Sequence, residues 1–444
     1  MNMKRCIVYG LLAVLCGAGP TVKAQRAKYV VMISVDGFRP NFYMDKSWPA
    51  PNMQQLMEKG VYAEGVRGVF PTVTYPSHTT LITGVTPGKH GICYNTAFTF
   101  DAQATGWNTE ASLIKAETLW DAVKKAGLIS ASVSWPVSVG APIDYNIPET
   151  WSKTNPLDRR LASSEQATPK GLFEEVTANA TGKLQANDYN LTYLSMDENV
   201  SRMAAYLIRT YKPNLITLHL PCTDGAQHAE GRNGDGVRRA VASADHAISN
   251  ILEALDKAGI KDSTAIIITG DHGFVDTHTS LSPNVWLAKN GLSSKATFFT
   301  TGGSTFLHLV NAKDEKTLQQ IKTMLAQLPE SYKKLFRIID RQALDKAGAD
   351  STAALALTAI QGFSFTNAAE GDLLKPAKGG THGYFPDFYE IQTGFIGYGA
   401  GFKKSGVLPL IGLEDIAPTI AKLLGIELKG AEGVSYPGFF DVKK

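Results

Sequence analysis

The run Tyr29–Val35 (YVVMISV) is apolar at nearly every position, the pattern of a parallel strand buried on both faces. Comparable strand-like runs recur at Ser130–Trp135, Leu215–Leu220, Thr264–Thr269 and Thr393–Gly399. Between them, apolar residues follow helical spacing over Pro51–Gly60, Glu117–Ala126, Asn199–Tyr211, Gly236–Ala258 and Leu413–Gly425. Proline near the start and glycine past the end suit the first of these helices. This alternation predicts an α/β fold with a mainly parallel central sheet.

The pattern loosens twice. Trp151–Tyr193 is polar and weakly patterned, and a loop-rich excursion is expected there. Ser280–Gly380 has a helical stretch near Glu315–Gln327 and irregular segments around Ser331–Gly348. It reads as a smaller α+β lobe inserted into the core. The expected division is a leader at 1–24, core at 25–279, lobe at 280–380 and a return to the core at 381–444.

The N-terminus changes the picture. Lys4 and Arg5 precede an apolar run from Cys6 to Gly17, and Val22-Lys23-Ala24 offers a cleavage site. This pattern predicts a secretory signal peptide cut after Ala24, too short to span a bilayer comfortably. Leu15 before Cys16 argues against lipid anchoring. The mature chain is therefore expected in a periplasm or outside the cell, without a membrane span. Cys93 and Cys222 remain in an oxidising compartment, where they could pair or stay buried thiols. A formal net charge of +3 over 444 residues gives no reason to expect nucleic acid as a stable partner.

Asp36, Asp224 and Asp271 each follow the C-terminal end of a predicted strand, the edge where ligand sites gather in open α/β sheets. His272 adjoins Asp271, and Gly273 permits the turn that would aim both side chains at one ion. Asp224 and His228 are four residues apart, on one face of a helical turn, a pairing that suits zinc. His382 lies among glycines in GGTHGY. A single DxxxH arises by chance, and a histidine between glycines more often just sits in a turn. Joint placement at strand ends is what carries weight. The stretch Phe70–Gly84 (FPTVTYPSHTTLITG) adds five threonines and a serine to a short predicted helix. One hydroxyl would suffice as a cap. Thr74 sits at the helix start, where free N–H groups favour negative charge.

Six motifs follow in order: VDGFRP (Val35–Pro40), FPTVTYPSH (Phe70–His78), TG…P…HGI…N (Thr83 to Asn95), DxxxH (Asp224–His228), GDHGF (Gly270–Phe274) and GTHGY (Gly380–Tyr384). Together they resemble the nucleotide pyrophosphatase/phosphodiesterase family of the alkaline phosphatase superfamily, from Asp36 to Tyr384. The resemblance implies an alkaline-phosphatase-like three-layer sandwich and two zinc ions about 4 Å apart. It assigns one ion to Asp36, Thr74, Asp271 and His272, and the other to Asp224, His228 and His382. Thr74 falls at the nucleophile position and Asn95 at the position whose amide steadies the transferring phosphoryl oxygen. Tyr75 falls where relatives often carry an aromatic lining the nucleoside pocket, though it can equally be a packed ring. Zinc coordination would make a threonine hydroxyl a competent nucleophile. Three aspartates against two divalent ions leave roughly +1, which suits a phosphodiester monoanion. His78, His90 and His278 read as structural, and Thr72, Thr79 and Thr80 as packing or capping residues. The cysteines lie two residues before Asn95 and Asp224, so a disulfide bracing the site is one alternative.

Related monoesterases carry a Lys-x-Arg pair after a strand downstream of the nucleophile. This chain has Trp135-Pro136-Val137 there, with Arg159 or Arg160 of the following loop as candidate substitutes. Fewer cations favour a monoanionic diester over a dianionic monoester. The CxPSR-type motif of sulfatases is absent. The expectation is a dizinc phosphodiesterase or nucleotide pyrophosphatase that hydrolyses phosphodiester or phosphoanhydride bonds of a small molecule, a nucleotide among the candidates, through a covalent phosphothreonine. A monoesterase is the first alternative and a silent phospho-ligand-binding zinc protein the second.

Overall fold

The computed structural model describes residues 26–100, 106–152, 155, 158–191 and 193–440. The expected signal peptide lies outside these residues. Six core strands come first: β1 (Tyr29–Val35), β2 (Val61–Arg67), β3 (Ser130–Val133), β4 (Tyr145–Ile147), β5 (Leu215–Leu220) and β6 (Thr264–Thr269). Eight more follow away from the core sheet: β7 (Val275–Leu281), β8 (Ala296–Thr300), β9 (Ser304–Leu309), β10 (Phe336–Ile339), β11 (Leu355–Ala359), β12 (Gly362–Phe365), β13 (Leu374–Pro376) and β14 (Gly380–Thr381). The chain returns with β15 (Thr393–Gly399), β16 (Gly406–Leu408) and β17 (Ile411–Gly412).

The core sheet runs β16-β2-β15-β6-β1-β5-β3-β4, with β17 also on β2. The β6-β1-β5-β3-β4 part is parallel, whereas β15 is antiparallel to both neighbours. On β1, alternate residues serve opposite faces. Val31, Ile33 and Val35 meet the helices Ser195–Tyr211 and Asp235–Lys257. Val30 and Met32 join the cluster that contains Leu81, Trp120, Ile416 and Ile420. Helices therefore cover both faces, and an unbroken apolar strand is what such a middle layer requires.

Strands β7 to β14 form two smaller sheets, β10-β11-β9-β8 and one in which β7, which starts before the expected lobe boundary at 280, pairs with β12, β13 and β14. β14 delivers His382 back to the core edge. The described residues of Trp151–Tyr193 hold more regular structure than their polarity predicts. Helices Arg160–Gln166 and Leu172–Val176 bury Leu172, Phe173 and Val176 against the first core face. Their brevity hides the period. Strand β3 stops at Val133, two residues before the expected end, because Ser134 turns the chain with φ of 56°. Cys93 and Cys222 are both free thiols, donating to the carbonyls of Pro87 and Tyr193. The bracing disulfide is thus not formed.

His90 is fully buried, facing Thr80 Oγ1 at 3.1 Å, and burial pushes its imidazole down to about 3. The unfolded chain protonates this histidine below about 6.5, while the native state does not until about pH 3. Stability should therefore fall as pH drops through that window, by about 1.4 kcal/mol per unit from this residue. Urea midpoints at pH 7, 6 and 5 should decline, and His90→Gln should flatten the slope. An unchanged slope in the variant refutes the assignment.

Candidate functional site

Strand β1 lies between β5 and β6, in register so that Ser34 faces both His219 and Thr269. The three strands end level. Asp36 leaves β1, Asp271 follows β6, and Asp224 opens the helix Cys222–Glu230 just past β5. The sheet thus delivers three carboxylates to one rim, as their sequence positions predict.

Asp271 Oδ1 accepts from the backbone N–H groups of Gly37 and His272, both at 3.0 Å. Its Oδ2 lies 3.1 Å from His272 Nε2. Asp36 Oδ1 is 3.4 Å from the same nitrogen. Asp224 Oδ1 lies 3.4 Å from His228 Nε2 and 3.6 Å from His382 Nε2. The rings of His272 and His382 stack with centroids 3.6 Å apart. Potential ligand atoms of Asp36, Asp271 and His272 lie within 4.8 Å of one another, as do those of Asp224, His272 and His382. His272 therefore joins the two groups, and His228 flanks the second.

Each of the three histidines has Nδ1 at a backbone carbonyl: His272 at Gly273, His228 at Gly380 and His382 at Thr72. A donor role for Nδ1 leaves every Nε2 a lone pair aimed at the carboxylates. Asp36 Oδ1, Asp224 Oδ1, Asp271 Oδ2 and His272 Nε2 are buried with no hydrogen-bond partner. Such a set consists of acceptors alone, which water satisfies poorly and divalent cations satisfy well. The residues fit divalent metal ions. Burial, with Asp271 and Asp224 close by, pushes Asp36 above the usual carboxylate range. Burial opposes charge on His272, yet Asp271 and Asp36 raise it to about 9. Burial and the neighbouring imidazoles hold His382 low.

Glycines make the close approach of His382 feasible. A Cβ on Gly379, at φ +75°, would come within 1.9 Å of the His228 carbonyl oxygen. One on Gly383, at φ +87°, would come within 1.8 Å of the Thr301 carbonyl oxygen.

The helix Thr74–Thr83 is buried along its whole length and closes on Gly84 at φ 69°. Most threonine hydroxyls of this segment are tied to backbone carbonyls. Thr79 donates to Tyr75, Thr83 to Thr79, Thr80 to Val85, and Thr72 to Tyr384. Of the five threonines only Thr74, the first helical residue, keeps its hydroxyl free of hydrogen bonds among the described residues. His78 Nδ1 meets the Thr74 carbonyl at 2.8 Å and lies 3.7 Å from Asp271 Oδ2. His278 is exposed and elsewhere.

Asn95 Oδ1 accepts from Tyr75 N–H at 2.9 Å, which orients its amide nitrogen outward. Asn95, His228 and His382 share the lining of a cavity of about 250 Å³ with Phe299 and Thr301 from the lobe. The Tyr75 ring is fully buried, its hydroxyl donating to Glu149 at 3.0 Å. It matches the packed-ring alternative rather than a pocket lining. The half-exposed aromatic face beside it belongs to Trp107, stacked on Trp151. Arg159 is buried, with Nε on the Thr150 carbonyl, and Arg160 is paired with Asp158. Neither joins the carboxylate–histidine cluster. Sequence reasoning missed His219 and Glu149. His219 Nε2 meets Asp36 Oδ2 at 3.0 Å, and its Nδ1 meets Glu149 Oε2 at 3.1 Å. A histidine in the otherwise apolar LITLHL strand was the available signal.

Residues 30–385 match the type I phosphodiesterase / nucleotide pyrophosphatase family. The chain belongs to this family. Murine ectonucleotide pyrophosphatase/phosphodiesterase family member 3 is 24% identical over 425 residues, covering 90% of this chain and 42% of the relative. The chain thus spans less than half the length of that relative. The Xenopus laevis bis(5'-adenosyl)-triphosphatase is 24% identical over 407 residues, covering 89% and 78%. Among solved structures, human ectonucleotide pyrophosphatase/phosphodiesterase 5 superposes with a TM-score of 0.67 at 20% identity, covering 91% of this chain and 97% of that one. An inactive threonine-to-alanine variant of the murine counterpart, in complex with AMP, gives 0.68 at 19% identity, with the same coverage. These neighbours share the alkaline-phosphatase-like fold of this phosphodiesterase-family chain. No helix among its described residues is long and apolar enough to cross a membrane.

Proposed function

We propose that the chain is an exported, metal-dependent phosphodiesterase of the nucleotide pyrophosphatase type, working through a covalent phosphothreonine. The observation that carries this reading is the all-acceptor set at the strand rim, together with an Asn95 amide oriented by the backbone of the residue after Thr74, whose own hydroxyl makes no hydrogen bond among the described residues. Two zinc ions suit the donors: Asp36, Asp271, His272 and Thr74 for one, Asp224, His228 and His382 for the other. Bound there, they would lower the pKa of a coordinated hydroxyl or water and offset phosphoryl charge. Thr74 Oγ1 attacks phosphorus in line with the leaving oxygen, forming one P–O bond as the other breaks. The amide nitrogen of Asn95 donates to a non-bridging oxygen, needing no reorganisation because Tyr75 N–H already holds its other end. Water then attacks the phosphothreonine and frees Thr74.

The AMP held by the murine neighbour and the name of the Xenopus relative support a nucleotide as one half of the substrate. Arg159 and Arg160 both stay out of the cluster, so neither supplies the second positive charge a monoester dianion requires. Rates on p-nitrophenyl-dTMP and bis-p-nitrophenyl phosphate should exceed that on p-nitrophenyl phosphate by on the order of 10²-fold. A faster monoester rate overturns the diesterase reading.

A further inference from the structure

Asp36 divides its two oxygens. Oδ2 meets His219 Nε2 at 3.0 Å, while Oδ1 is buried, bare and turned toward His272. Behind His219, Nδ1 lies 3.1 Å from Glu149 Oε2 and 3.2 Å from the Ser134 carbonyl. Glu149 is itself held. Its Oε1 accepts from Tyr75 Oη at 3.0 Å, and Arg159 Nη2 stands 3.8 Å from Oε2. Trp151 Nε1 closes the chain by donating to Tyr75 Oη at 3.1 Å. Every member from Asp36 to Arg159 is less than a tenth exposed.

We propose that His219 and Glu149 are positioning residues for Asp36, committing one carboxylate oxygen to the protein and reserving the other for a metal ion. The proposal rests on the metal-dependent reading above. Burying an imidazole between two carboxylates is costly where a leucine would fill the same space. A packing role gives no reason for acceptors at both ring nitrogens. A metal-ligand role does, because hydrogen bonds behind a ligand fix its orientation and tune its donor strength. The chain also couples two parts of the site. Tyr75 holds Glu149 through its phenol and Asn95 through its backbone N–H, one residue after Thr74. Metal ligand, amide donor and nucleophile helix thereby share one rigid path.

Cobalt(II) titration of the full chain, read from its visible absorption bands, tests this with Glu149→Gln, His219→Gln and the double variant. Each single change should weaken one of two cobalt ions by about 10–100-fold and leave the other within twofold. The double variant should be no weaker than the worse single, because the residues act in series. Affinities unchanged from wild type, or losses that add, overturn the proposal. So does equal weakening of both ions, or loss of the metal-free fold in Glu149→Gln as judged by circular dichroism, since a packing residue behaves that way. A wild type that binds no cobalt refutes the metal-dependent reading itself, a distinct result.

Discussion

Thr74→Ala should lower turnover of p-nitrophenyl-dTMP by on the order of 10³-fold or more while leaving the melting temperature within about 2 °C. The size follows from role. If the hydroxyl forms the covalent bond to phosphorus, the other four threonines of the segment cannot replace it, because they are bound to carbonyls. The small stability effect follows from geometry. Thr74 makes no side-chain hydrogen bond among the described residues, and the helix start is capped by Val73 without a side-chain bond. Thr79→Ala is the control with the opposite signature. It breaks a buried 2.8 Å bond to Tyr75, so it should cost stability by about 1 kcal/mol and little turnover. Equal residual activity in Thr74→Ala and wild type would sink the nucleophile assignment. Trapping of a ³²P-labelled chain from wild type, absent from the variant, would test the covalent step directly.

The parts of this molecule that could be read early are those governed by one periodicity. Strands β1, β5, β6 and β15 lie where the expected runs lie, because burial keeps them largely apolar, with His219 of β5 the one ionisable side chain that points into the site. The three aspartates followed, since what comes after a buried parallel strand sits on the ligand edge. The misses have a different physics. Strand β2, VYAEGVR, carries Glu64 and Arg67 at exposed positions, so its run is broken. The antiparallel direction of β15 is set by tertiary pairing, which no local pattern encodes. Tyr75 looked like a pocket residue from its place after Thr74. Only packing shows its ring turned inward to Glu149. His219 and Glu149 are 70 residues apart and meet through the sheet and the loop after β4.

Exhaustive chelation should abolish diesterase activity, and zinc should restore it at two ions per chain. The expected loss is total to within assay limits, because a threonine hydroxyl is a poor nucleophile at neutral pH without a means of lowering its pKa. Stability should fall with it. Occupancy at a thousandfold excess over Kd contributes about 4 kcal/mol per site, so the metal-free protein should melt several degrees lower. The electrostatics set how this depends on pH. In the metal-free cluster burial and neighbouring carboxylates raise Asp36, and His272 reaches about 9 despite burial because of Asp271. Protons therefore compete with metal for these groups up to about pH 9. Zinc affinity should rise as pH is raised from 6 toward about 9, with protons released on binding. Isothermal titration in buffers of different ionisation enthalpy measures that release. Binding without proton release, or saturation below two ions per chain, would mean that the bare oxygens and Nε2 lone pairs at this rim do not hold a dinuclear centre. His382 responds in the opposite sense. Burial and its imidazole neighbours already keep it neutral, so it presents a lone pair to metal across this whole range and adds no proton to the count.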